Sequence, residues 1–163
     1  MSRRRARPAP TARIAAVVVV VLAATACAGG ERLGAPAFRK QADAQCAKLA
    51  AASEELGLAQ SEGATGEEVQ GYVRAAADGL RDLTRGLADL RAPESLESGA
   101  DALVAALDDY ADGLDEIASR VEPGQGLTEA LSAAPKLVGR LNKISERATD
   151  LVVALGLDGC QLA

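Results

Sequence analysis

Thr65-Gly-Glu-Glu-Val69-Gln-Gly-Tyr-Val73-Arg-Ala-Ala76-Ala-Asp-Gly-Leu80-Arg-Asp-Leu83-Thr-Arg-Gly-Leu87-Ala-Asp-Leu90-Arg-Ala-Pro93 decides the fold. Val69, Val73, Ala76, Leu80, Leu83, Leu87 and Leu90 recur at steps of three and four. That is the period of one helix face, and the stretch lacks the two-residue alternation of a half-buried strand. Thr65-x-x-Glu68 matches a capping box at its start. Ala92-Pro93 ends it, because proline has no N–H to donate and restricts the residue before it.

The same period extends outward on both sides. Downstream, Leu96, Ala100, Leu103, Leu107, Tyr110, Leu114, Ile117 and Val121 form a second stripe, closed by the turn Pro123-Gly-Gln-Gly126. A further stripe follows in Leu127, Ala130, Ala134, Leu137, Leu141, Ile144, Ala148, Leu151 and Leu155. Pro135 lies inside it, where it clashes with the carbonyl of Leu131, so a kink or a break is expected there. Leu155-Gly156-Leu157 reads as a C-terminal cap with glycine left-handed. Upstream, a helix from about Pro36 to about Gln60 would turn Phe38, Ala42, Cys46, Leu49, Ala52 and Leu56 inward. Ser61–Gly66 is a loop by composition. Four amphipathic segments with short connections predict an all-α, antiparallel up-down four-helix bundle over residues 37–163. Heptad-like spacing implies crossing angles near about 20°. Alanine-rich faces bury little area each, which makes a covalent staple useful.

Composition narrows the chemistry. The 163 residues contain no His and no Trp, one Met, and three aromatics, Phe38, Tyr72 and Tyr110. Imidazole bases, imidazole metal sites and Met or His haem ligation are excluded. Hydrophobic residues at 48% and charged residues at 25% fit a folded domain. Paired acids remain, but glycosidase chemistry works across a cleft, and three aromatics leave little to line one. No strand precedes a glycine-rich loop, so no phosphate cradle is expected. The chain is read as a non-enzyme with no cofactor.

Residues 1–26 read as an address. Arg3, Arg4, Arg5, Arg7 and Arg13 precede the apolar run Ile14–Ala24, which is eleven residues long. A membrane span needs about 20, so this is the profile of a secretory signal peptide. Ser2-Arg3-Arg4-Arg5 faintly resembles a twin-arginine signal, but Ala6-Arg7-Pro8 lacks the apolar residues that follow one, so the general export route is expected. Ala24-Thr25-Ala26-Cys27 resembles a bacterial lipobox, in which the cysteine receives a diacylglycerol and becomes the new N-terminus. Ala24 departs from the pattern, where leucine is commoner. The alternatives are an ordinary signal peptidase cut at the same bond, giving a secreted form, and an uncleaved anchor. Residues 27–36, with Gly29, Gly30, Gly34 and Pro36, then read as the lipidated cysteine and a flexible tether.

The three cysteines fit this scheme. An exported protein rarely keeps a free thiol. With Cys27 lipidated, Cys46 and Cys160 remain as a pair 114 positions apart. An up-down bundle of four returns the C-terminus to the start of the first helix, which places Cys160 beside it. Residues 1–26 hold five arginines and no acid, so their removal moves the net charge from −5 to −10. Such a domain repels phosphate backbones, and nucleic acid is not an expected partner. Membrane attachment must then come from the lipid, which needs more than one acyl chain to hold stably.

Three surface features are candidates for function. Asp108-Asp109-Tyr110-Ala-Asp112-Gly113 approaches the calcium-loop pattern but fails it, because the third position is Tyr110 and the twelfth Ser119. What remains is a helical row, Asp101, Asp108, Asp109, Asp112, Asp115 and Glu116, of which Asp108, Asp112 and Asp115 are weak candidates for a divalent cation and otherwise a solvated face. Lys136, Arg140, Lys143 and Arg147 fall at spacings of four, three and four, one basic edge on an acidic protein. It suits an acidic partner or a salt-bridged flank. Gly71, Gly79, Gly86, Gly99, Gly113 and Gly139 lie within helices, either for close helix approach and a ligand groove or from compositional bias; bias is the simpler reading and is adopted.

Together, the leader, the segment Phe38-x-x-x-Ala42-x-x-x-Cys46 and the closing Leu155-Gly156-Leu157-x-x-Cys160 resemble small exported lipoproteins of high-GC Gram-positive bacteria. The resemblance implies the helical bundle and the Cys46–Cys160 bridge, and it implies no activity. The resulting expectation is a lipoprotein on the outer face of the cell membrane, anchored at Cys27, acting on an unknown envelope protein as an interaction module. A carrier for a small apolar ligand between the helices and a weak divalent-cation binder are the other two readings.

Overall fold

The computed structural model describes residues 32–59 and 63–160. The expected leader, Cys27 and the tether as far as residue 31 lie outside those residues, as do the side chains of Leu49, Ala52 and Leu56. The described chain is all-helical: α1 (Ala35–Ala59), α2 (Glu67–Ala88), α3 (Glu94–Arg120), α4 (Leu127–Ala133) and α5 (Pro135–Leu155), then a 3-10 turn at Asp158–Cys160. No described helix is long and apolar enough to cross a membrane.

The expected fourth helix is two. Ala134 leaves helical geometry at φ −124° and ψ 52°, and Pro135 opens α5 at its first position. Proline is tolerated there because the first N–H groups of a helix have no intrahelical partner. The α5 terminus follows the expected cap. Gly156 has φ 68° and ψ 47°, and the N–H groups of Gly156 and Leu157 donate to the carbonyls of Val153 and Val152, both at 3.1 Å. This is the paired bonding of a Schellman motif.

The start of α2 differs from expectation. Gly66, not Thr65, is the cap, and no side chain caps the helix. Gly66 instead takes φ 57° and ψ −117°, and its N–H donates to the carbonyl of Gln125 at 3.0 Å. The Gln70 side chain donates to the Val121 carbonyl at 2.9 Å. The loop before α2 is thus stitched to the turn after α3. A Cβ on Gly66 would come within 3.1 Å of the Gly124 nitrogen. Gly66→Ala is therefore expected to lower stability by about 1–3 kcal/mol. Gly71→Ala, on a helix face with nothing within 4 Å, is expected to raise it by roughly 0.5–1 kcal/mol. Denaturant midpoints of the two variants check the contrast, and an unchanged midpoint for the first would mean the stitch is dispensable.

Two apolar clusters make the core. One joins Phe38, Ala42 and Cys46 of α1 with Leu80, Leu83 and Leu87 of α2, Leu103 and Leu107 of α3, and Val152 and Leu155 of α5. The other joins Val69 and Val73 of α2, Ile117 of α3, Ala130 of α4, and Leu137 and Leu141 of α5. Tyr110 and Leu114 border both. The helix α3 packs on α2 and on α5, while α1 packs on α2 and on the 3-10 turn. The expected stripes hold with small rotations: Ala77, Thr84, Ala106 and Ala111 are buried, whereas Ala76, Leu96 and Ala100 are half-buried.

Candidate functional site

Cys46 and Cys160 are bonded, with their Cα atoms 4.9 Å apart. The last described residues are held there by more than sulfur. The Gly159 N–H donates to the Asp43 carboxylate at 2.9 Å, and a Cβ on Gly159 would lie 3.0 Å from the Asp43 carbonyl oxygen. Arg39 Nε donates to the Leu155 carbonyl at 2.8 Å, a cation at the negative end of α5.

The last part of the expected tether is packed rather than loose. The Leu33 N–H donates to the Arg91 carbonyl at 2.9 Å, and Leu33 is half-buried against the core. Arg32 donates to the Ala92 carbonyl at 3.3 Å and pairs with Glu97 at 2.9 Å. Helix α1 begins at Ala35. The packed domain thus starts ahead of residue 37, because Arg32 and Leu33 find partners on the α2–α3 turn that the local Gly/Pro composition does not reveal. A cleft of about 210 Å³ lies beside this strap, with Leu90, Glu97 and Val104 among its walls.

The acidic row of α3 is engaged from α2 by one cation and one hydroxyl. Arg81 pairs with Asp112 at 2.8 Å and with Asp115 at 2.7 Å, and these bonds, Asp112 first, raise the pKa of its guanidinium. Thr84, buried on α2, donates its hydroxyl to the Asp108 carboxylate at 2.7 Å, with the Arg81 carbonyl a second acceptor at 3.0 Å. The three carboxylates considered for a cation, Asp108, Asp112 and Asp115, are therefore spread over two protein partners. Among the described residues no three His, Cys, Asp or Glu side chains converge as a metal site. Arg81 and Thr84 escaped sequence reasoning because Arg81 falls beside the apolar stripe and its partners are fixed only by how α2 meets α3.

The basic edge divides. Arg140 pairs with Glu116 on α3 at 2.5 Å, and Arg120 pairs with the other oxygen of the same carboxylate at 2.7 Å. Lys136, Lys143 and Arg147 are exposed and make no ion pair among the described residues. Glu116, Arg120, Lys136 and Arg140 line an open cleft of about 410 Å³ at the bend between α4 and α5.

The hydrogen bonds from Arg120 and then Arg140 hold the Glu116 carboxyl below its ordinary pKa, and Arg32 does the same for Glu97. A carboxylate depressed in the folded state stabilises it above the unfolded pKa, and that contribution is lost as pH falls through the folded value. Wild type is therefore expected to exceed Glu116→Gln in denaturant midpoint near neutral pH. The gap should close on acidification below the ordinary carboxylate range, as a denaturant series at stepped pH would read.

The helical glycines do not behave as composition alone. A Cβ on Gly113 would lie 2.4 Å from a Leu141 methyl, one on Gly99 would lie 3.0 Å from Leu155, and one on Gly86 would lie 2.7 Å from Gln45. Gly71 and Gly139 have open space. At three positions, then, glycine admits a neighbouring side chain, which corrects the reading of these residues as bias. The space against Gly113 and Gly99 is filled by leucine, not left as a groove.

No family model, no curated protein and no solved structure matches the chain.

Proposed function

We propose that this chain is an envelope lipoprotein, cut before Cys27 and lipid-anchored through it on the outer face of the membrane, whose helical domain is a non-enzymatic protein-interaction module. The Cys46–Cys160 bridge carries the reading. Structural disulfides persist in oxidising compartments, which fits export, and the pairing leaves Cys27 as the one cysteine for a lipid. The basic leader with its eleven-residue apolar run supports the same route. The arrangement proposed for the domain is a four-pass up-down bundle in which α4 and α5 form one bent fourth element. The bond from Arg39 to Leu155, joining the start of α1 to the end of α5, favours an even number of passes.

The carrier reading is weaker, since leucine side chains occupy the space beside Gly99 and Gly113. The cation reading is weaker too, since Arg81 holds Asp112 and Asp115.

Intact mass of the protein taken from its native envelope, with and without reductant, tests the proposal. Residues 27–163 plus a diacylglycerol, with a gain of about 2 Da on reduction, is the expected result. An unmodified Cys27 would overturn the anchor and leave a secreted domain.

A further inference from the structure

We infer that the cleft at the α4–α5 bend is the docking site of this interaction module, and that it takes an acidic polypeptide segment of a partner. The inference rests on the interaction-module reading and adds the place and the chemistry.

Charge is the first ground. The mature chain has a net charge of −10, yet three cations, Arg120, Lys136 and Arg140, face this cleft around one carboxylate, Glu116. Glu116 already accepts from both arginines, one on each oxygen. Its single charge therefore leaves an excess of two positive charges. Each arginine is more than half exposed, at 55% and 56% of its side chain, so further N–H donors of both guanidiniums are open to a second carboxylate. Lys136 adds a cation with no ion-pair partner among the described residues. Guanidinium N–H groups are strong donors to carboxylates, and each arginine already gives one such bond to one oxygen of Glu116.

Shape is the second ground. Pro135 breaks the helix, and the resulting elbow leaves an open concavity of about 410 Å³ between α3 and α5. An extended side chain or two fits such a space, and the opening admits a peptide rather than enclosing a small molecule.

Position is the third. The chain comes into the domain at Arg32, bonded to Glu97 near the start of α3. Arg120 ends the same helix 23 residues later, about 35 Å along its axis. Only four residues separate Cys27 from Arg32, a reach of roughly 18 Å at full extension. An anchor at Cys27 thus keeps the strap end near the bilayer, and the cleft lies at the other end of α3 from the strap.

The test uses the full mature protein in non-ionic detergent and a fluorescein-labelled hexaglutamate peptide, read by anisotropy at low ionic strength. Binding that weakens about tenfold or more in K136E/R140E is expected, with less than about threefold loss in K143E/R147E on the same helix edge. Added salt should release the peptide, since exposed charges are screened. Lys136→Gln guards against a folding artefact, because Lys136 holds no pair, and it should weaken binding by about threefold with an unchanged melting point. Equal losses from both double variants, or no peptide binding at all, would overturn the inference. Binding of inorganic phosphate without peptide binding would overturn it in favour of a phosphate site. Self-association abolished by K136E/R140E would assign the cleft to a second copy of the chain and overturn the partner. None of these outcomes alters the mass measurement, so failure of the cleft and failure of the anchor are told apart.

Discussion

Replacing Cys46 and Cys160 together by alanine is expected to remove about 4–5 kcal/mol of stability, a large share of the roughly 5–15 kcal/mol that single domains have. The estimate comes from the loop that the bridge closes, which spans 114 positions and so restricts nearly the whole domain in the unfolded state. The fall in melting temperature should be roughly 12–20 °C. Reducing agent on the wild type should reproduce it. The bridge has this leverage because of where it lies. The first helix packs on α2 and on the 3-10 turn that carries Cys160, so the turn, together with the Arg39 bond to the end of α5, grips α1. Both sulfurs are buried, and Leu157 beside them is buried as well. Asp43→Ala, which removes only the carboxylate that accepts from Gly159, should cost about 1 kcal/mol and separates the hydrogen bond from the covalent link. A double alanine variant that melts within a few degrees of wild type would mean that helix packing alone holds α1 in place.

The helices were legible in the sequence because their signals are local. Leucine at steps of three and four, Pro93, Pro123, Pro135 and Gly156 act within a turn or two of their own positions, and each does in the structure what its chemistry requires. Long-range choices were not legible. Ala76 and Ala77 each lie three or four residues from both Val73 and Leu80, so the sequence could not select Ala77 as the buried one. A stripe with a mean step of 3.5 also drifts on a helix of 3.6 residues per turn, which moves Leu96 and Ala100 toward the rim while Ala106 and Ala111 turn inward. The glycines differ in the same way. Gly113 and Gly71 look alike in sequence, and only the approach of Leu141 distinguishes them. Nor can a row of acids and a row of bases name their pairings until it is known which helices adjoin. That is why Arg81, outside the basic row, and Glu116, one of six acids in its row, did not stand out, although among the described residues they make the most ion pairs.

Phe38→Ala is expected to cost about 3–5 kcal/mol, the range for deleting a fully buried aromatic ring. Phe38 is the only phenylalanine in the chain and is 1% exposed, in a core otherwise dominated by leucine, valine and alanine. Small side chains cannot collapse far into the space that a ring leaves, so the penalty should fall toward the upper end. Val153→Ala is the natural control. That valine is 74% exposed on α5, and its loss should stay within about 0.5 kcal/mol. Phe38 also belongs to the same cluster as the disulfide, eight positions before Cys46 on the same face of α1. Both hold one element, about the first three turns of α1, against the rest of the domain. Their losses should therefore couple: a Phe38→Ala variant lacking the bridge should lose less than the two changes do separately, by about 1 kcal/mol or more. Strict additivity in denaturant midpoints would mean that the ring and the bridge hold different parts of the molecule. A loss below about 1 kcal/mol for Phe38→Ala alone would remove the start of α1 from the core altogether. The coupled result would identify the α1 terminus, clamped by Phe38 beneath and Cys160 beside it, as the element on which the cohesion of the domain depends.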